Sequence, residues 1–131
     1  EYVDAVAAAI EIIDSRYQNF KFSLEDVVAD NCSSIGFTVG DWMPVTESLN
    51  NLNMQLRIDE KTVAEGSSND IMNNPWKSLA AATRLAAKYG EPIKKGMYIM
   101  AGAATNAEFI QADQTASAEV ATLGTATVSF R

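Results

Sequence analysis

Residues 5–13 contain one carboxylate, Glu11, in a run that is otherwise entirely apolar. A continuous apolar run of this length predicts a strand that is buried on both faces. On such a strand, Ala9 and Ile13 share a face with Glu11. Moving a bare carboxylate into apolar surroundings is costly unless a cation or hydrogen-bond donors meet it. We therefore expect Glu11 to have a partner, either a metal ion or a basic side chain such as that of Arg16.

Length and composition predict one globular domain. The chain has 131 residues, 47% of them hydrophobic and 21% charged, as in folded proteins and unlike disordered ones. Its formal net charge of −7 argues against nucleic acid or an anionic membrane surface as a partner. The single cysteine, Cys32, cannot form an internal disulfide, which is typical of cytoplasmic proteins. We therefore expect a cytoplasmic protein that does not enter the membrane.

The absence of histidine restricts the chemistry of any metal site. The sequence contains 0 histidines, which removes a common zinc ligand and the commonest general base. A metal would then be bound by oxygen ligands, and these favour magnesium, manganese or calcium over zinc.

Capping signals and alternating patterns predict the order of helices and strands. Ser23 and Asp26 have the spacing of a capping box and predict a short helix over 24–30. Asn74 and Pro75 predict the start of the longest helix, and Gly90 predicts its end. Together these patterns predict an α+β domain with a mixed, largely antiparallel sheet and few helices. The predicted strands and loops are a strand at 33–40, a loop at 41–48, strands at 53–58 and 62–65, a buried strand at 96–104 and a hairpin over 116–130.

Two long stretches carry a resemblance to a known family. They are IEIIDSRYQNFKFSLEDVVADNCSS at 10–34 and NPWKSLAAATRLAAKYGEPIKKGMYIMAGAATNAEFIQ at 74–111, the second followed by LGTATVSF. Both resemble the 4-oxalocrotonate decarboxylase and 2-hydroxypentadienoate hydratase family of the fumarylacetoacetate hydrolase superfamily. Because chains of that family are about twice as long, the resemblance implies that 1–131 is a single domain, incomplete at its N-terminus, and the C-terminal half of a catalytic domain. The implied fold is a sheet curled around the active site with few outer helices.

The resemblance implies a metal site and a set of substrate-binding residues. Members of the family bind one Mg²⁺ or Mn²⁺ through three carboxylates, two of them upstream of residue 1 and the third at the position of Glu11. Ser33 and Ser34 are implied to donate hydrogen bonds to a substrate carboxylate, Asp30 to orient a basic group, and Thr105 to face the substrate. From the residues alone, capping and turn formation explain the two serines equally well.

The function implied by the resemblance is a metal-dependent lyase reaction. Its substrate is the small dicarboxylic 2-oxo acid 2-oxohex-3-enedioate, which loses CO₂ to give 2-hydroxypenta-2,4-dienoate in the meta-cleavage degradation of aromatic compounds. One alternative is the hydratase that acts on 2-hydroxypenta-2,4-dienoate, and a second is a non-catalytic scaffold with the same fold. The implied partners are the N-terminal half, further copies in a homo-oligomer and the partner hydratase.

Overall fold

A computed structural model describes residues 3–45 and 48–131 of the chain. The strands within these residues are β1 (Ala5–Val6), β2 (Ala9–Ile13), β3 (Ser34–Val39), β4 (Met43–Pro44), β5 (Asn53–Ile58), β6 (Lys61–Ser67), β7 (Thr115–Val120) and β8 (Gly124–Ser129). The helices are α1 (Leu24–Ala29) and α2 (Pro75–Lys88), with short 3₁₀ helices at Gln18–Phe20, Asn31–Ser33 and Ser68–Asp70. The element types confirm the predicted α+β class.

The described strands form three antiparallel sheets. Four strands pair in the order β6-β5-β7-β8, while β2 pairs with β3 and β1 with β4. The predicted single sheet curled around a site is not confirmed, and no sheet closes on itself in this part of the chain. The reason is that β2 and β3 pack against β7 and β8 instead of extending their hydrogen-bonded ladder.

The close contact between β3 and β8 depends on a glycine. A Cβ added at Gly40 would lie 2.5 Å from the carbonyl oxygen of Thr125. Nearby, the Thr38 hydroxyl donates a hydrogen bond of 3.2 Å to the carbonyl oxygen of Thr127. These contacts hold the β2–β3 pair against the edge strand of the larger sheet.

The core lies between the β2–β3 pair and the four-stranded sheet. Its buried centre is Ala8, Val120 and Ala126, and partly buried side chains surround it. Ile10 of β2 packs against this centre, so one face of β2 is directed inward as predicted. The prediction that both faces are buried is wrong, because Glu11 and Ile13 on the other face are exposed. Within the described ranges, the larger sheet packs on only one side of β2.

Both helices begin where the capping signals predict. The Ser23 hydroxyl accepts a hydrogen bond from the Asp26 N–H at 3.2 Å, and the Asp26 carboxylate accepts one from the Ser23 N–H at 3.0 Å. At α2, the side chain of Asn74 accepts a hydrogen bond from the backbone N–H of Trp76 at 2.8 Å. Gly90 follows the helix with φ of +85°, the left-handed conformation in which glycine is favoured. No helix in the described ranges is long and apolar enough to cross a membrane.

Two local predictions are wrong. Residues 96–104 form no strand, and Met97 and Tyr98 are exposed. Positive φ angles of +87° at Gly96 and +124° at Gly102 interrupt the extended path there. Residues 41–48 were predicted to be a loop, but Met43 and Pro44 form β4 and pair with β1. Residues 46–47 of that stretch lie outside the described ranges.

Candidate metal and substrate site

Glu11 presents a free carboxylate on the exposed face of β2. It is directly opposite Phe37 of β3 in the antiparallel register. In the described part of the chain, no hydrogen bond or ion pair involves its side chain. The predicted alternative of an ion pair with Arg16 is wrong here, because the Arg16 guanidinium is paired with Asp30.

A single carboxylate fits the role of one metal ligand and no more. Hard divalent cations take several oxygen ligands, among which carboxylates are common. In the described ranges, no group of three or more acidic, histidine or cysteine side chains is close enough to hold a metal ion. Glu11 is exposed and has no partner among the described residues, so it fits a site completed by other donors.

Asp30 connects the end of β2 to the end of α1. Its carboxylate is buried, with 4% of the residue exposed, and it accepts a hydrogen bond of 3.0 Å from the backbone N–H of Arg16. The guanidinium of Arg16 donates to the same carboxylate. The backbone N–H and then the side chain of Arg16 hold the pKa of Asp30 below its ordinary value. The structure thus pairs the Asp30 carboxylate with a basic group, the guanidinium of Arg16.

Ser33 is held in a tight corner between α1 and β3. Its backbone N–H donates to the carbonyl oxygen of Asp30 at 2.9 Å, and its carbonyl oxygen accepts from the N–H of Asp14 at 2.9 Å. Ser33 has φ of +61°, and both preceding residues, Asn31 and Cys32, have φ of +52°. The Ser33 hydroxyl is buried and has no hydrogen-bond partner in the described ranges. It therefore caps no helix there, and a buried hydroxyl without a partner needs an explanation.

Ser34 lies near Glu11 along the strand pair. It is opposite Ile13, beyond a register shift between Ile12 and Ile13 that skips Ile35. Ile13 is two positions from Glu11, which corresponds to roughly 7 Å along the strand. The structure therefore brings Ser34 and the adjoining corner near the position of Glu11 along β2.

Thr105 is not on either strand of this pair. It lies in the loop that passes β6, where the carbonyl oxygen of Ala104 occupies the space that a Cβ at Gly66 would need. An open depression of about 680 Å³ lies at the β5–β6 turn, and none of the predicted site residues lines it.

Sequence reasoning missed an aromatic group beside Glu11. The ring centroids of Phe37 and Tyr98 are 6.2 Å apart with an interplanar angle of 87°, and those of Tyr98 and Trp42 are 5.1 Å apart. Phe37 is the register partner of Glu11. Alternation within SSIGFTVG could have placed Phe37 on one face, but no local signal shows which residue it opposes.

Comparison with known proteins identifies the family. Residues 1–131 match the family described as fumarylacetoacetate (FAA) hydrolase, C-terminal. The chain is similar to a 4-oxalocrotonate decarboxylase from a Pseudomonas species, with 47% identity over 127 residues that cover 97% of this chain and 50% of that protein. A 2-keto-4-pentenoate hydratase from Paraburkholderia phymatum is 29% identical over 94% of this chain and 48% of its own length.

Solved structures show the same relationship. The 4-oxalocrotonate decarboxylase from Pseudomonas putida G7, complexed with magnesium and adipate, matches with a TM-score of 0.91 and 32% identity over 98% of this chain and 49% of that chain. The same enzyme complexed with calcium and acetate matches with a TM-score of 0.88, 29% identity and the same coverage. The chain thus spans about half the length of the relatives it matches. It belongs to the fumarylacetoacetate hydrolase family and corresponds to the C-terminal half of these enzymes.

Proposed function

We propose that the complete protein is a metal-dependent carboxy-lyase that converts 2-oxohex-3-enedioate to 2-hydroxypenta-2,4-dienoate. In this reaction the substrate takes up one proton and releases CO₂. The observation that carries the proposal is the 47% identity to a 4-oxalocrotonate decarboxylase over almost the whole chain. The hydratase reaction is the second candidate, because a 2-keto-4-pentenoate hydratase is 29% identical over a similar length.

We infer that residues 1–131 are a single domain and the C-terminal half of a catalytic domain. The chain covers only 50% of its decarboxylase relative, and the described residues contain no complete set of acidic metal ligands. The N-terminal half would supply the two further carboxylates. The proposal also includes a homo-oligomer and association with the partner hydratase, for which exposed apolar side chains offer contact area. It further includes a location in the cytoplasm, where the free thiol of Cys32 would stay reduced.

Within this proposal, the predicted residues hold the metal, bind the substrate or keep the site in position. Glu11 would hold Mg²⁺ or Mn²⁺ through its free carboxylate, and a related structure contains magnesium. The bound cation would withdraw electron density from the 2-oxo group and so stabilise negative charge that develops there. Ser34 and Ser33 would donate hydrogen bonds to the substrate carboxylate farther from the metal. Asp30 would hold Arg16 and the corner in position, and Thr105 would face the substrate from its loop.

The test is product analysis with the complete protein. We expect CO₂ release from 2-oxohex-3-enedioate in the presence of Mg²⁺ or Mn²⁺, with loss of activity in excess chelator and recovery when either metal is returned. The product, identified by NMR, should be 2-hydroxypenta-2,4-dienoate.

Two other outcomes would contradict the proposal. Water addition to 2-hydroxypenta-2,4-dienoate without CO₂ release from the six-carbon acid would assign the hydratase reaction. A lack of turnover with both acids, together with no stabilisation by Mg²⁺, would assign a scaffold.

A further inference from the structure

Phe37, Trp42 and Tyr98 form an aromatic surface that begins beside Glu11. Phe37 is directly opposite Glu11 in the ladder, so both side chains project from the same face of the β2–β3 pair. The Phe37 and Tyr98 rings meet edge to face, and the Tyr98 and Trp42 rings are tilted by 43°. Contact from ring to ring therefore connects the strand to the irregular segment at 96–104.

The aromatic surface is assembled but uncovered in the described chain. Phe37 is 50% exposed, Trp42 48% and Tyr98 61%. Edge-to-face pairs of this kind contribute stability beyond the area they bury, so the three rings support one another without a ligand. Apolar patches of this kind, rimmed by polar groups, often mark binding sites. Glu11 on β2 is a polar group directly beside this surface, and Ser34 lies farther along β3.

We propose that this aromatic surface is the apolar wall of the Glu11 site and that it packs against the unsaturated carbon chain of the acid substrate. The inference rests on the proposed function, because it requires the metal-binding end of the substrate to lie at Glu11. A 2-oxo dicarboxylate carries its charges at its two ends and has apolar carbons between them. Ser34 is paired with Ile13, two positions or roughly 7 Å along β2 from Glu11, a length suited to such a chain.

The proposal makes Phe37 a specificity-determining residue. A substrate chain that lies along β3 from Glu11 toward Ser34 would cover the Phe37 ring and remove apolar surface from water. The same ring would disfavour a polar substituent in the middle of the chain, because that group would lose its hydration without gaining a hydrogen bond. Trp42 and Tyr98 would extend the wall and keep bulk water from the metal end of the substrate.

The experiment compares Phe37→Ala and Phe37→Leu with the parent in the complete protein. The probe is adipate, a saturated six-carbon dicarboxylate, titrated calorimetrically in the presence of Mg²⁺. We expect Phe37→Ala to weaken adipate binding and to raise the KM for 2-oxohex-3-enedioate by about tenfold or more, the range seen when contacts in an apolar pocket are lost. Phe37→Leu should lose less, and kcat and Mg²⁺ affinity should change little in both variants.

Phe109→Ala is the matched control. Phe109 is 89% exposed and lines the depression at the β5–β6 turn, away from the Glu11 strand. This variant should bind adipate like the parent. Unchanged adipate affinity and KM in both Phe37→Leu and Phe37→Ala would overturn the proposal. If the melting temperature or the oligomeric state changed instead, the rings would be covered by protein and not by substrate.

Failure of the proposed function gives a different result. In that case the parent would not decarboxylate the six-carbon acid, or Glu11→Gln would keep its Mg²⁺ affinity. If the parent binds adipate without decarboxylating the six-carbon acid, titration of the Phe37 variants still tests the aromatic wall. Normal Mg²⁺ affinity in Glu11→Gln would instead remove the metal end from Glu11 and overturn the wall as well. If Phe37→Ala fails to fold, the Phe37→Leu titration alone decides the outcome.

Discussion

At the scale of single residues, the environment of Glu11 predicts that its substitution weakens Mg²⁺ binding but leaves the stability of the fold almost unchanged. Its carboxylate is exposed and has no partner in the described ranges. Glu11→Gln should therefore change the free energy of unfolding by no more than about 0.5 kcal/mol. In the complete protein it should lower Mg²⁺ affinity and turnover by at least about tenfold, measured by calorimetry and product formation.

A second exposed strand carboxylate provides the control for this substitution. Glu119 lies on β7, opposite Thr125, and is also exposed. Glu119→Gln should keep the Mg²⁺ affinity of the parent. Normal Mg²⁺ binding in Glu11→Gln would remove Glu11 from the metal site.

The Ser33 hydroxyl, which has no partner in the described ranges, predicts that its removal does not destabilise the fold. Ser33→Ala removes a buried group that has no partner in the described ranges, so stability should stay the same or rise by up to about 1 kcal/mol. If this hydroxyl binds a substrate carboxylate, kcat/KM in the complete protein should fall by about tenfold or more. Ser34→Ala should give a similar loss if Ser34 shares that role.

Ser68 is the matched buried serine. Its hydroxyl accepts a hydrogen bond from the Leu52 N–H at 2.9 Å and donates one to the Leu49 carbonyl oxygen at 2.6 Å. Ser68→Ala should therefore cost about 1–3 kcal/mol in urea denaturation and leave kcat/KM unchanged. A loss of stability without loss of kcat/KM in Ser33→Ala would refute the binding role of Ser33.

At the scale of elements, Asp30 predicts an acid-sensitive junction between β2 and α1. Its folded pKa is lowered by the backbone N–H and side chain of Arg16, so its stabilising effect is present above the ordinary carboxyl pKa of about 3.9. The effect is lost as the pH falls through the lower folded value. Asp30→Asn should reduce stability at pH 7, and its difference from the parent should be smaller at about pH 2, because Asp30 loses its stabilising effect as it takes up a proton. Urea denaturation at the two pH values measures this.

Two further variants show whether the effect belongs to this junction. The Ser23 N–H and hydroxyl lower the pKa of Asp26, so Asp26→Asn should show the same direction of pH dependence. Asp41 is exposed and makes no hydrogen bond or ion pair in the described ranges. Equal effects of Asp41→Asn and Asp30→Asn would contradict the structural role of the Arg16–Asp30 pair.

The end of α2 depends on the backbone conformation of one glycine. Gly90 has φ of +85°, and apart from its chain neighbours no atom of the described residues lies within 4 Å of an added Cβ, so any penalty comes from the backbone. Gly90→Ala should cost about 1 kcal/mol in thermal denaturation. Gly36→Ala is the comparison, since Gly36 lies in β3 without a left-handed φ and its added Cβ would be 4.0 Å from Ile12. Equal melting temperatures for Gly90→Ala and the parent would place the helix end elsewhere.

At the scale of the whole molecule, the small core predicts that the isolated 131-residue chain associates. Its buried apolar centre consists mainly of alanine and valine, while large side chains such as Leu85, Met97 and Phe109 are exposed. Exposed apolar surface and unpaired strand edges favour self-association. We expect large species in size-exclusion chromatography with light scattering, binding of an apolar dye and no decarboxylase activity.

The complete protein is the control for this measurement. It should elute as one defined species and bind less dye per chain. A monodisperse, dye-free monomer of residues 1–131 would show that this part of the protein needs no further cover, and decarboxylase activity in that monomer would contradict the half-domain proposal.

Features that depend only on neighbouring residues could be predicted from the sequence. Ser23 with Asp26 and Asn74 with Pro75 predicted the starts of both helices, and Gly90 predicted the end of the second. These predictions succeeded because capping bonds and left-handed glycines involve groups within a few positions of one another. The family resemblance was also local in origin, since it followed from two continuous stretches, and the comparisons confirm it.

Which of these residues meet, and which faces are covered, depends on contacts between distant parts of the chain. The prediction that Glu11 lies on a strand was correct, but the prediction that it is buried was wrong. Its exposure depends on what packs over β2 from distant parts of the chain. Arg16 pairs with Asp30, 14 positions away, instead of with Glu11, because the chain turns back through α1. Phe37 lies opposite Glu11, 26 positions away, because of the register between β2 and β3. Local sequence patterns do not predict such contacts, because registers and packing partners are selected by the free energy of the whole fold.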